Sequence, residues 1–442
     1  MKLPESFEAR MKISLGESYD AFKSTYDEAY HVSLRVNTLK IDVKTFVEKF
    51  PYPLSPVPWT NDGFYYNPED PVTKHPYYHA GLYYVQEPSA MSPVQALAPK
   101  RGDCCLDLCA APGGKSMQIA NAIEDHGMLV TNDIHETRVK AILRNVEKFG
   151  LRNVIVLNDS PEHIVKVMGN RFDSILIDAP CSGEGMFRKD FKAVKSWETY
   201  GPEECHVVQR DIIDTLPAFI KKESKIVYST CTFAPIENEV QIKHLIDDYS
   251  CFKPREINLT GIDNEGDKGT HMVHIWPHLH RGEGHFIGSL LGSGAIECEN
   301  IRYEENQPPE VFKDFMEKHL KTPIVGHFKM IQERLYLMPE LHFPTKGLRV
   351  VREGLLLGEI KKDRFTPSQA LAIHLSAHNF KPMINFSSES IEAIKYLKCE
   401  TLHVDTDTEG LHLVCTDGFP LGFAKITGGV LKNQYPVSWR MM

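Results

Sequence analysis

Two cysteines follow predicted strands, in sequence contexts that suit nucleophilic chemistry. Cys181 lies in ILIDAPCSGEGMFRKD, after Asp178 and Pro180, and Cys231 lies in KIVYSTCTFAPIENE. A thiol in a crevice at the carboxyl ends of parallel strands, near a helix start, can have its pKa lowered enough to act as a nucleophile. Each cysteine alone fits an inert buried side chain. The two together, with Asp178 beside them, predict a thiol-based active site.

A third segment, CCLDLCAAPGGKS, predicts a nucleoside-binding loop. A short strand ends at Asp107, and a loop of small residues with Gly113 and Gly114 leads into a helix. Glycines let the backbone approach a ligand, and Asp133 ends the next strand, where such folds place a carboxylate against ribose hydroxyls. The dinucleotide pattern GxGxxG and a Walker loop are both missing. S-adenosylmethionine therefore fits better than a dinucleotide; the alternative is a tight structural turn.

The elements that must position these residues alternate between short apolar runs and helix-length segments from about residue 77 to 291, a pattern typical of a doubly wound α/β sheet. The predicted strands are Cys104–Leu108, Met128–Asn132, Val154–Asn158, Ser174–Asp178, Lys225–Ser229 and His285–Leu291. The predicted helices are Lys115–Asp125, Glu136–Phe149 and Glu203–Ile220. Outside this region we predict a strand in Ser33–Lys40, a linker plus a helix in the acidic stretch Ile296–Leu320, and strands at Leu411–Cys415 and Phe423–Ile426.

Composition indicates a globular chain of about three domains, with 442 residues, 42% hydrophobic and 25% charged. No run approaches the ~20 apolar residues of a membrane span, and no secretory signal is visible, so we expect a cytoplasmic protein without a membrane partner. The cysteines do not have the spacing of a disulfide framework, and we expect Cys104, Cys105 and Cys109 to pack in the core. A net charge of −9 argues against a wholly basic polyanion binder but permits a local basic groove.

Two weaker signals leave their alternatives open. Five histidines lie in His271–His285, but their irregular spacing argues against zinc, so we predict no metal site. RNA contact and a purely structural loop both remain for this stretch. The basic residues Arg188, Lys189, Lys192 and Lys195 suit either phosphate contacts or a solvated face.

Four motifs give the chain a resemblance to the RNA cytosine-5 methyltransferases of the NOL/NOP/Sun family, most closely to its RsmF (YebU)-type ribosomal RNA branch. They occur in the family's order and are VQEPSAMSP (Val85–Pro93), DLCAAPGGKS (Asp107–Ser116), DAPCSGEGMFRKD (Asp178–Asp190) and STCTFAPIENE (Ser229–Glu239). A weaker match, Gly418–Pro436, is similar to the end of a PUA-like RNA-binding module.

The resemblance implies a fold class and a domain order. We expect an α/β protein with a doubly wound, Rossmann-like S-adenosylmethionine-dependent methyltransferase core at residues 76–292. A small N-terminal α+β RNA-binding domain would occupy residues 1–75. An acidic linker and RsmF-type intermediate region would occupy residues 293–365, and a PUA-like RNA-binding domain would occupy residues 366–442.

The resemblance also implies roles for individual residues. Cys231 would be the covalent nucleophile, Cys181 would help to release the product, and Asp178 would hydrogen-bond the target base. The residues implied to bind the cofactor are Cys109, Ala110, Ala111, Pro112, Gly113, Gly114, Lys115, Asp133, Asp159 and Asp178.

The implied function is methylation of cytosine carbon 5 in RNA, with ribosomal RNA or a ribosomal subunit as the partner. The nearest alternative is the same enzyme acting on tRNA. A DNA cytosine methylase, in which Cys181 would be the nucleophile, is less favoured because those enzymes lack the partner motif Thr230-Cys231. From another class, the chain would be a ribosome-assembly factor that binds RNA without turnover. The oligomeric state stays open.

Overall fold

The structure is a computed structural model that describes residues 3–262, 270–296 and 300–442. In chain order, a small N-terminal sheet is followed by a large central sheet and then by a C-terminal region with two smaller sheets and a two-stranded pair. No helix in the described part of the chain is both long and apolar enough to cross a bilayer.

The N-terminal region combines short helices with a four-stranded sheet of order β2-β3-β1-β4. Its strands are β1 (Ser33–Val36), β2 (Ser55–Pro56), β3 (Gly63–Tyr65) and β4 (Tyr83–Val85), and its helices are α1 (Glu5–Leu15), α2 (Tyr19–Ser24), α3 (Val43–Lys49) and α4 (Pro76–His79). The strand predicted within Ser33–Lys40 is confirmed as β1. Its central residues are fully buried because both faces of this small sheet are covered.

The central region contains the predicted doubly wound sheet. Its strands are β5 (Cys104–Asp107), β6 (Met128–Asn132), β7 (Val154–Leu157), β8 (Phe172–Asp178), β9 (Ile220–Thr230), β10 (Phe252–Pro254), β11 (Met272–Ile275) and β12 (His285–Gly292). Its helices are α5 (Ser92–Leu97), α6 (Gly114–Ile123), α7 (Glu136–Phe149), α8 (Pro161–Met168), α9 (Phe191–Thr199), α10 (Pro202–Ile213) and α11 (Glu239–Asp248). The α/β fold class is confirmed.

Five parallel strands, in the order β7-β6-β5-β8-β9, form the middle of this sheet. Strand β12 pairs antiparallel with β9 and extends the sheet to β10 and β11. The strand order reverses at β5, which has β6 on one side and β8 on the other. Ligands of such sheets bind outside the carboxyl ends of the strands at this reversal point.

One predicted helix is wrong at its carboxyl end. The prediction ran from Glu203 to Ile220, whereas α10 ends at Ile213 and a short 3₁₀ turn covers Leu216–Ala218. Pro217 lies in that turn and has no N–H to continue an α-helix. Ile220 instead begins β9, which is six residues longer than the predicted strand Lys225–Ser229.

The central core covers both faces of the sheet. Cys104 and Cys105 are fully buried and pack into the two opposite clusters, because successive side chains of a strand point to opposite faces. Cys109, at the turn after β5, is half-buried against one of these clusters. The three cysteines therefore pack in or against the core, as predicted.

The described part of the C-terminal region contains twelve strands and three α-helices; its strands form two sheets and a two-stranded pair, and β17 joins the central sheet. Its strands are β13 (Ile301–Arg302), β14 (Phe328–Ile331), β15 (Arg334–Leu337), β16 (Leu341–His342), β17 (Val350–Glu353), β18 (Leu355–Lys361), β19 (Arg364–Pro367), β20 (Met383–Phe386), β21 (Leu402–His403), β22 (Gly410–Thr416), β23 (Phe419–Thr427) and β24 (Val430–Asn433). Its helices are α12 (Glu310–His319), α13 (Gln369–His374) and α14 (Ile391–Leu397).

The late-chain predictions hold where the structure describes them. The two predicted strands are parts of β22 and β23, and α12 is the helix predicted in the acidic stretch. Residues 297–299 of that stretch lie outside the described residues.

Two of the contacts that join the C-terminal region to the rest of the chain are made by its strands. Strand β17 pairs antiparallel with β7 and so becomes one edge of the central sheet. The last sheet, of order β20-β22-β23-β24-β21, packs against the N-terminal sheet, and Tyr396, Leu421 and Tyr435 share one apolar cluster with Leu34 and Phe46. The ends of the chain therefore pack on each other.

Gly81, in the N-terminal region, packs closely against the end of α7, and substitution of this glycine tests the contact. It has φ +72°, and a Cβ built there would lie 2.1 Å from the carbonyl oxygen of Lys148. Gly102 also has positive φ, +87°, but a Cβ there would meet nothing within 4 Å. We expect Gly102→Ala to cost about 1 kcal/mol of backbone strain. Gly81→Ala should cost roughly 1–3 kcal/mol more through the added collision.

Urea unfolding followed by far-UV circular dichroism measures both glycine variants against the parent chain. Equal losses of stability for Gly81→Ala and Gly102→Ala would contradict the close contact between Gly81 and the end of α7.

Candidate functional site

The two predicted thiols meet at the carboxyl edge of the central sheet. Cys181 lies in the loop after β8 and Cys231 in the loop after β9, and their sulfur atoms are 3.4 Å apart. The two parallel strands pair in a register that sets Asp178 beside Ser229, so both loops leave the sheet at the same level. The structure thus brings together two thiols that are 50 residues apart in sequence.

The two thiols are not equivalent in their surroundings. The hydrogen bond with Cys231 and then burial raise the pKa of Cys181 well above its usual range. Cys181 is therefore a neutral thiol at physiological pH. It can hold a proton beside its neighbour, which suits a proton donor or relay better than an attacking group.

Asp178 is an ionised acceptor next to the thiols. Lys115 Nζ donates to its Oδ2 at 2.8 Å, and Ser229 Oγ donates to its Oδ1 at 2.9 Å. Burial alone would raise the pKa of Asp178, but the charge of Lys115 and the nearby His285 imidazole outweigh it and hold the pKa well below its usual range. The carboxylate stays charged in a largely buried setting.

The sequence analysis placed His285 in the histidine-rich stretch and at the start of a predicted strand, but gave it no role in the site. It begins β12 and is 3% exposed, and its Nε2 lies 3.5 Å from Asp178 Oδ1. The next residue, Phe286, pairs with Thr230 at the end of β9. Burial and the nearby Lys115 lower the pKa of His285, so the imidazole is neutral. The antiparallel register that brings His285 here has no local sequence signal.

The predicted nucleoside-binding loop crosses the strand-order reversal at β5. Ser116 Oγ donates to Asp107 Oδ2 at 2.6 Å, while Asp107 Oδ1 is buried without a hydrogen-bond partner. Gly113 has φ +104°, and a Cβ at Gly114 would lie 2.8 Å from the Tyr84 ring. The loop is thus compatible only with small residues at these two positions, and it opens onto the N-terminus of α6.

Asp133 lies beside this loop and is 3% exposed. Its Oδ2 accepts the N–H of Ala111 at 3.3 Å, and its Oδ1 accepts the N–H of His135 at 2.9 Å. Arg138 Nη1 is 3.5 Å from Oδ2, and Arg138 Nη2 donates to the Ala111 carbonyl. The carboxylate therefore fixes the loop that follows β5 to the end of β6.

Asp159 is held mainly by the C-terminal region. The Arg349 N–H, just before β17, donates to its Oδ2 at 2.9 Å, and His163 Nδ1 lies 2.9 Å from its Oδ1. Asn132 contacts both the N–H and the carbonyl of Asp159 and also the carbonyl of Leu108. Asn132, which the sequence analysis did not single out, therefore joins the ends of β5, β6 and β7.

These residues suit a small polar ligand that carries hydroxyl groups and a cationic end. Asp107, Asp133, Asp159 and Asp178 all lie at the carboxyl ends of β5 to β8, and the buried Asp107 oxygen lacks a protein donor. Carboxylates accept hydrogen bonds from ribose hydroxyls and from ammonium groups. S-adenosylmethionine, with two ribose hydroxyls and an ammonium group, is a ligand that fits this set of acceptors.

The structure places the residues of the two weaker sequence signals, the basic residues and the histidine-rich stretch, in different surroundings. Arg188 is removed from the surface, because Nε and Nη2 form a bidentate pair with the buried carboxylate of Glu283 at 2.7–2.8 Å. Lys189, Lys192 and Lys195 are exposed. The Trp276 ring stacks on the ring of Phe233, with centroids 5.2 Å apart. Phe233 lies two residues after Cys231 in the sequence. The histidine-rich stretch therefore packs against the loop that carries Cys231.

Metal ligands do not gather anywhere in residues 3–262, 270–296 and 300–442: no group of three His, Cys, Asp or Glu side chains is arranged to hold an ion.

Family models match four successive parts of the chain. Residues 3–88 match the N-terminal domain of 16S rRNA methyltransferase RsmF, and residues 94–291 match 16S rRNA methyltransferase RsmB/F. Residues 314–375 match the first C-terminal domain of RsmF rRNA methyltransferase, and residues 384–441 match the methyltransferase RsmF PUA domain.

A full-length relative and two solved structures are also similar. Ribosomal RNA small subunit methyltransferase F of Shewanella oneidensis is 31% identical over 443 residues, covering 95% of this chain and 93% of its own. A methyltransferase homologue from Pyrococcus horikoshii is 28% identical, with a TM-score of 0.54, over 66% of this chain and 100% of that chain. NSun6 from Pyrococcus horikoshii with SFG is 21% identical, with a TM-score of 0.57, over 66% of this chain and 99% of that chain, and so shows likeness of fold.

The buried Asp107 predicts a specific pH dependence of stability. Burial raises the pKa of Asp107 from 3.8 to about 7. Between these pH values the unfolded chain loses the proton while the folded chain keeps it, so stability falls as the pH rises, and above pH 7 the loss is complete. Asp107→Asn cannot ionise. Its free energy of unfolding relative to the parent should therefore increase from pH 4 to 7, by on the order of a few kcal/mol, and then level off.

Chemical denaturation at a series of pH values measures this difference. The exposed Asp20→Asn controls for the same change of atoms at the surface. If the stability difference between Asp107→Asn and the parent stays constant over this pH range, burial does not raise the pKa of Asp107.

Proposed function

The chain belongs to the family of ribosomal RNA small subunit methyltransferase F, and from this premise we propose that it is an S-adenosylmethionine-dependent RNA cytosine-5 methyltransferase. We further propose that its substrate is ribosomal RNA, either free or within a ribosomal subunit. The names of its full-length relatives and the match of residues 384–441 to an RsmF PUA domain support this choice of substrate.

The observation that carries the proposal is the pair of thiols at one sheet edge. Cys181 and Cys231 have sulfur atoms 3.4 Å apart, and the ionised Asp178, which is paired with Lys115, ends β8 three residues before Cys181. Carbon 5 of cytosine is too weak a nucleophile to take a methyl group unaided. A thiol that adds to the base activates carbon 5, and this addition must later be reversed. Two neighbouring thiols can divide these tasks, one adding to the base and the other assisting the release.

We assign the steps as follows. The Cys231 thiolate adds to carbon 6 of cytosine, and the electron pair moves toward carbon 5, which becomes nucleophilic. Asp178 accepts a hydrogen bond from the exocyclic amine or the protonated ring nitrogen and so favours the adduct. Once carbon 5 carries the methyl group, Cys231 leaves by elimination and the proton of carbon 5 must pass to a base. Cys181, a neutral thiol, gives its proton to the departing Cys231 sulfur and in turn takes the proton from carbon 5.

S-adenosylmethionine supplies an electrophilic methyl group when it is bound. We assign its binding to Cys109, Ala110, Ala111, Pro112, Gly113, Gly114, Lys115, Asp133, Asp159 and Asp178. Asp133 is suited to the ribose hydroxyls because it ends β6 next to the loop after β5. The target cytosine must be single-stranded or flipped out of a helix, because a stacked base cannot enter the crevice between the loops.

Two alternative functions each agree with part of this proposal. The enzyme could act on tRNA by the same chemistry, or the chain could bind RNA during ribosome assembly without turnover. Bisulfite sequencing of total RNA from cells with and without the gene distinguishes them. A cytosine in ribosomal RNA that loses protection is expected. If only a cytosine in tRNA loses its resistance to bisulfite, the substrate is tRNA. If no cytosine in any RNA loses its resistance, the non-catalytic role is favoured.

The cofactor assignment predicts that Asp133→Ala weakens S-adenosylmethionine binding by about 1.5–3 kcal/mol, the scale for losing hydrogen bonds to a charged group. Isothermal calorimetry measures the change. Arg138→Ala is the matched control, because it removes the neighbouring cation at 3.5 Å and its bond to Ala111 but keeps the carboxylate. Unchanged affinity in a folded Asp133→Ala protein would refute this role.

The assignment of the thiols predicts opposite behaviour for two alanine variants. Cys231→Ala should abolish methyl transfer and form no covalent RNA complex, because the adduct cannot form. Cys181→Ala should add to the base but fail to release it, so an adduct that survives denaturing gel electrophoresis should accumulate. The asymmetry follows from the order of the steps.

The reverse pattern would identify Cys181 as the nucleophile, as in DNA cytosine methylases. Adducts with Cys231→Ala and none with Cys181→Ala would therefore overturn the assignment while leaving the fold unaffected. Cys205, a half-buried cysteine on α10 outside the pair, supplies the control substitution Cys205→Ala, which should behave like the parent.

A further inference from the structure

A buried carboxylate and the amide next to it connect the two loops that carry the thiols. Glu237 and Asn238 follow Cys231 by a few residues, just before α11, and both side chains are completely buried. Neither belongs to the set of residues that the cofactor and the thiol chemistry require. Their hydrogen bonds, however, are directed at the residues that flank the two cysteines.

Glu237 holds the loop of Cys181. Its Oε2 accepts the backbone N–H of Ser182 at 2.9 Å, and its Oε1 accepts the Ser182 hydroxyl at 2.5 Å. Gln209 Nε2, on α10, donates to Oε2 at 2.8 Å. Burial raises the pKa of Glu237, and these three donors favour its ionised form in return. The residue immediately after Cys181 is thus fixed by both its backbone and its side chain.

Asn238 holds the loop of Cys231 from both sides. Thr230 Oγ1 donates to Asn238 Oδ1 at 2.6 Å, and Asn238 Nδ2 donates to the carbonyl of Thr232 at 3.0 Å. The two contacted threonines are the residues directly before and after Cys231. The amide therefore fixes the backbone on either side of the nucleophile.

The two loops are also joined directly. The hydroxyls of Ser182 and Thr232 are 2.8 Å apart, and the Gly185 N–H donates to the Cys231 carbonyl at 2.8 Å. Because the Ser182 hydroxyl proton is directed to Glu237, Thr232 must be the donor in the hydroxyl pair. A directed chain of hydrogen bonds runs from Thr232 through Ser182 to the carboxylate.

We propose that Glu237 and Asn238 are positioning residues that set the spacing of the two thiols, with Glu237 acting on Cys181 and Asn238 acting on Cys231. This inference rests on the proposed function for the meaning of each thiol. Since each side chain contacts the flanks of a different cysteine, their loss should affect different steps: the release of the product for Glu237 and the formation of the adduct for Asn238.

The experiment compares Glu237→Gln and Asn238→Ala with the parent, Cys181→Ala and Cys231→Ala in single-turnover reactions with RNA. We expect Glu237→Gln to slow release roughly 10- to 100-fold, the effect of losing a hydrogen bond to a charged group, so that the adduct accumulates on denaturing gels. Asn238→Ala should slow adduct formation by a similar factor without accumulation. Glu353→Gln, another buried glutamate with a raised pKa but in β17, is the matched control and should match the parent.

A second measurement reports the spacing without RNA. Diamide oxidises two neighbouring thiols to a disulfide, accepts their two electrons and two protons, and becomes a hydrazine. We expect the disulfide between Cys181 and Cys231 to form about tenfold more slowly in Glu237→Gln and in Asn238→Ala than in the parent or in Glu353→Gln. Peptide mapping identifies the bond. Ser182→Ala, a milder change that keeps the backbone contact, should shift the rate in the same direction.

The outcomes separate this inference from the function it rests on. If Cys181→Ala traps RNA but Glu237→Gln and Asn238→Ala behave like Glu353→Gln in both measurements, the positioning role is wrong and the proposed function stands. If neither cysteine variant shows the expected trapping pattern, the proposed function fails, and the oxidation rates still decide the spacing. Equal slowing of adduct formation and release in both variants would show a general loss of structure and overturn the division of labour.

Discussion

The pairing of β8 with β9 is the constraint on which the rest of the site depends. These neighbouring parallel strands end in a register that places Asp178 beside Ser229, and each is followed within three residues by a thiol. Parallel hydrogen bonding fixes the relative height of two strands along their whole length. A shift by one residue would turn Asp178 to the other face of the sheet and separate the carboxylate from both cysteines.

The charges around the site are paired with opposite charges. Lys115 offsets the half-buried Asp178 across 2.8 Å, and Arg188 offsets the buried Glu283. Glu184, which is fully buried, is paired with Arg10 from α1 and accepts the N–H of Phe233, two residues after Cys231. An unpaired buried charge is costly, so each pair commits its two segments to one arrangement. Through such pairs the N-terminal region helps to hold the loops that carry the thiols.

The C-terminal region is likewise part of the central structure. Strand β17 completes the sheet next to β7, and the Arg349 N–H just before it binds the carboxylate of Asp159. Because β17 covers the edge of β7, the backbone N–H and C=O groups there are paired and cannot hydrogen-bond to another chain. Removal of residues from about 323 onward would therefore expose a sheet edge and release Asp159.

The sequence by itself determined the α/β class, most strands of the central sheet and the two thiol segments, because each of these depends on local periodicity and on short runs of chemically distinctive residues. It also identified Asp178, Asp133 and the glycines after β5, since strand ends and small-residue loops are local signals. Only the tertiary structure decided which partners these residues have. The place of His285 beside Asp178, the insertion of β17 and the contacts of Glu237 with Ser182 all join segments far apart in the chain. Such contacts depend on strand register and buried hydrogen-bond geometry, which no local pattern of residues encodes.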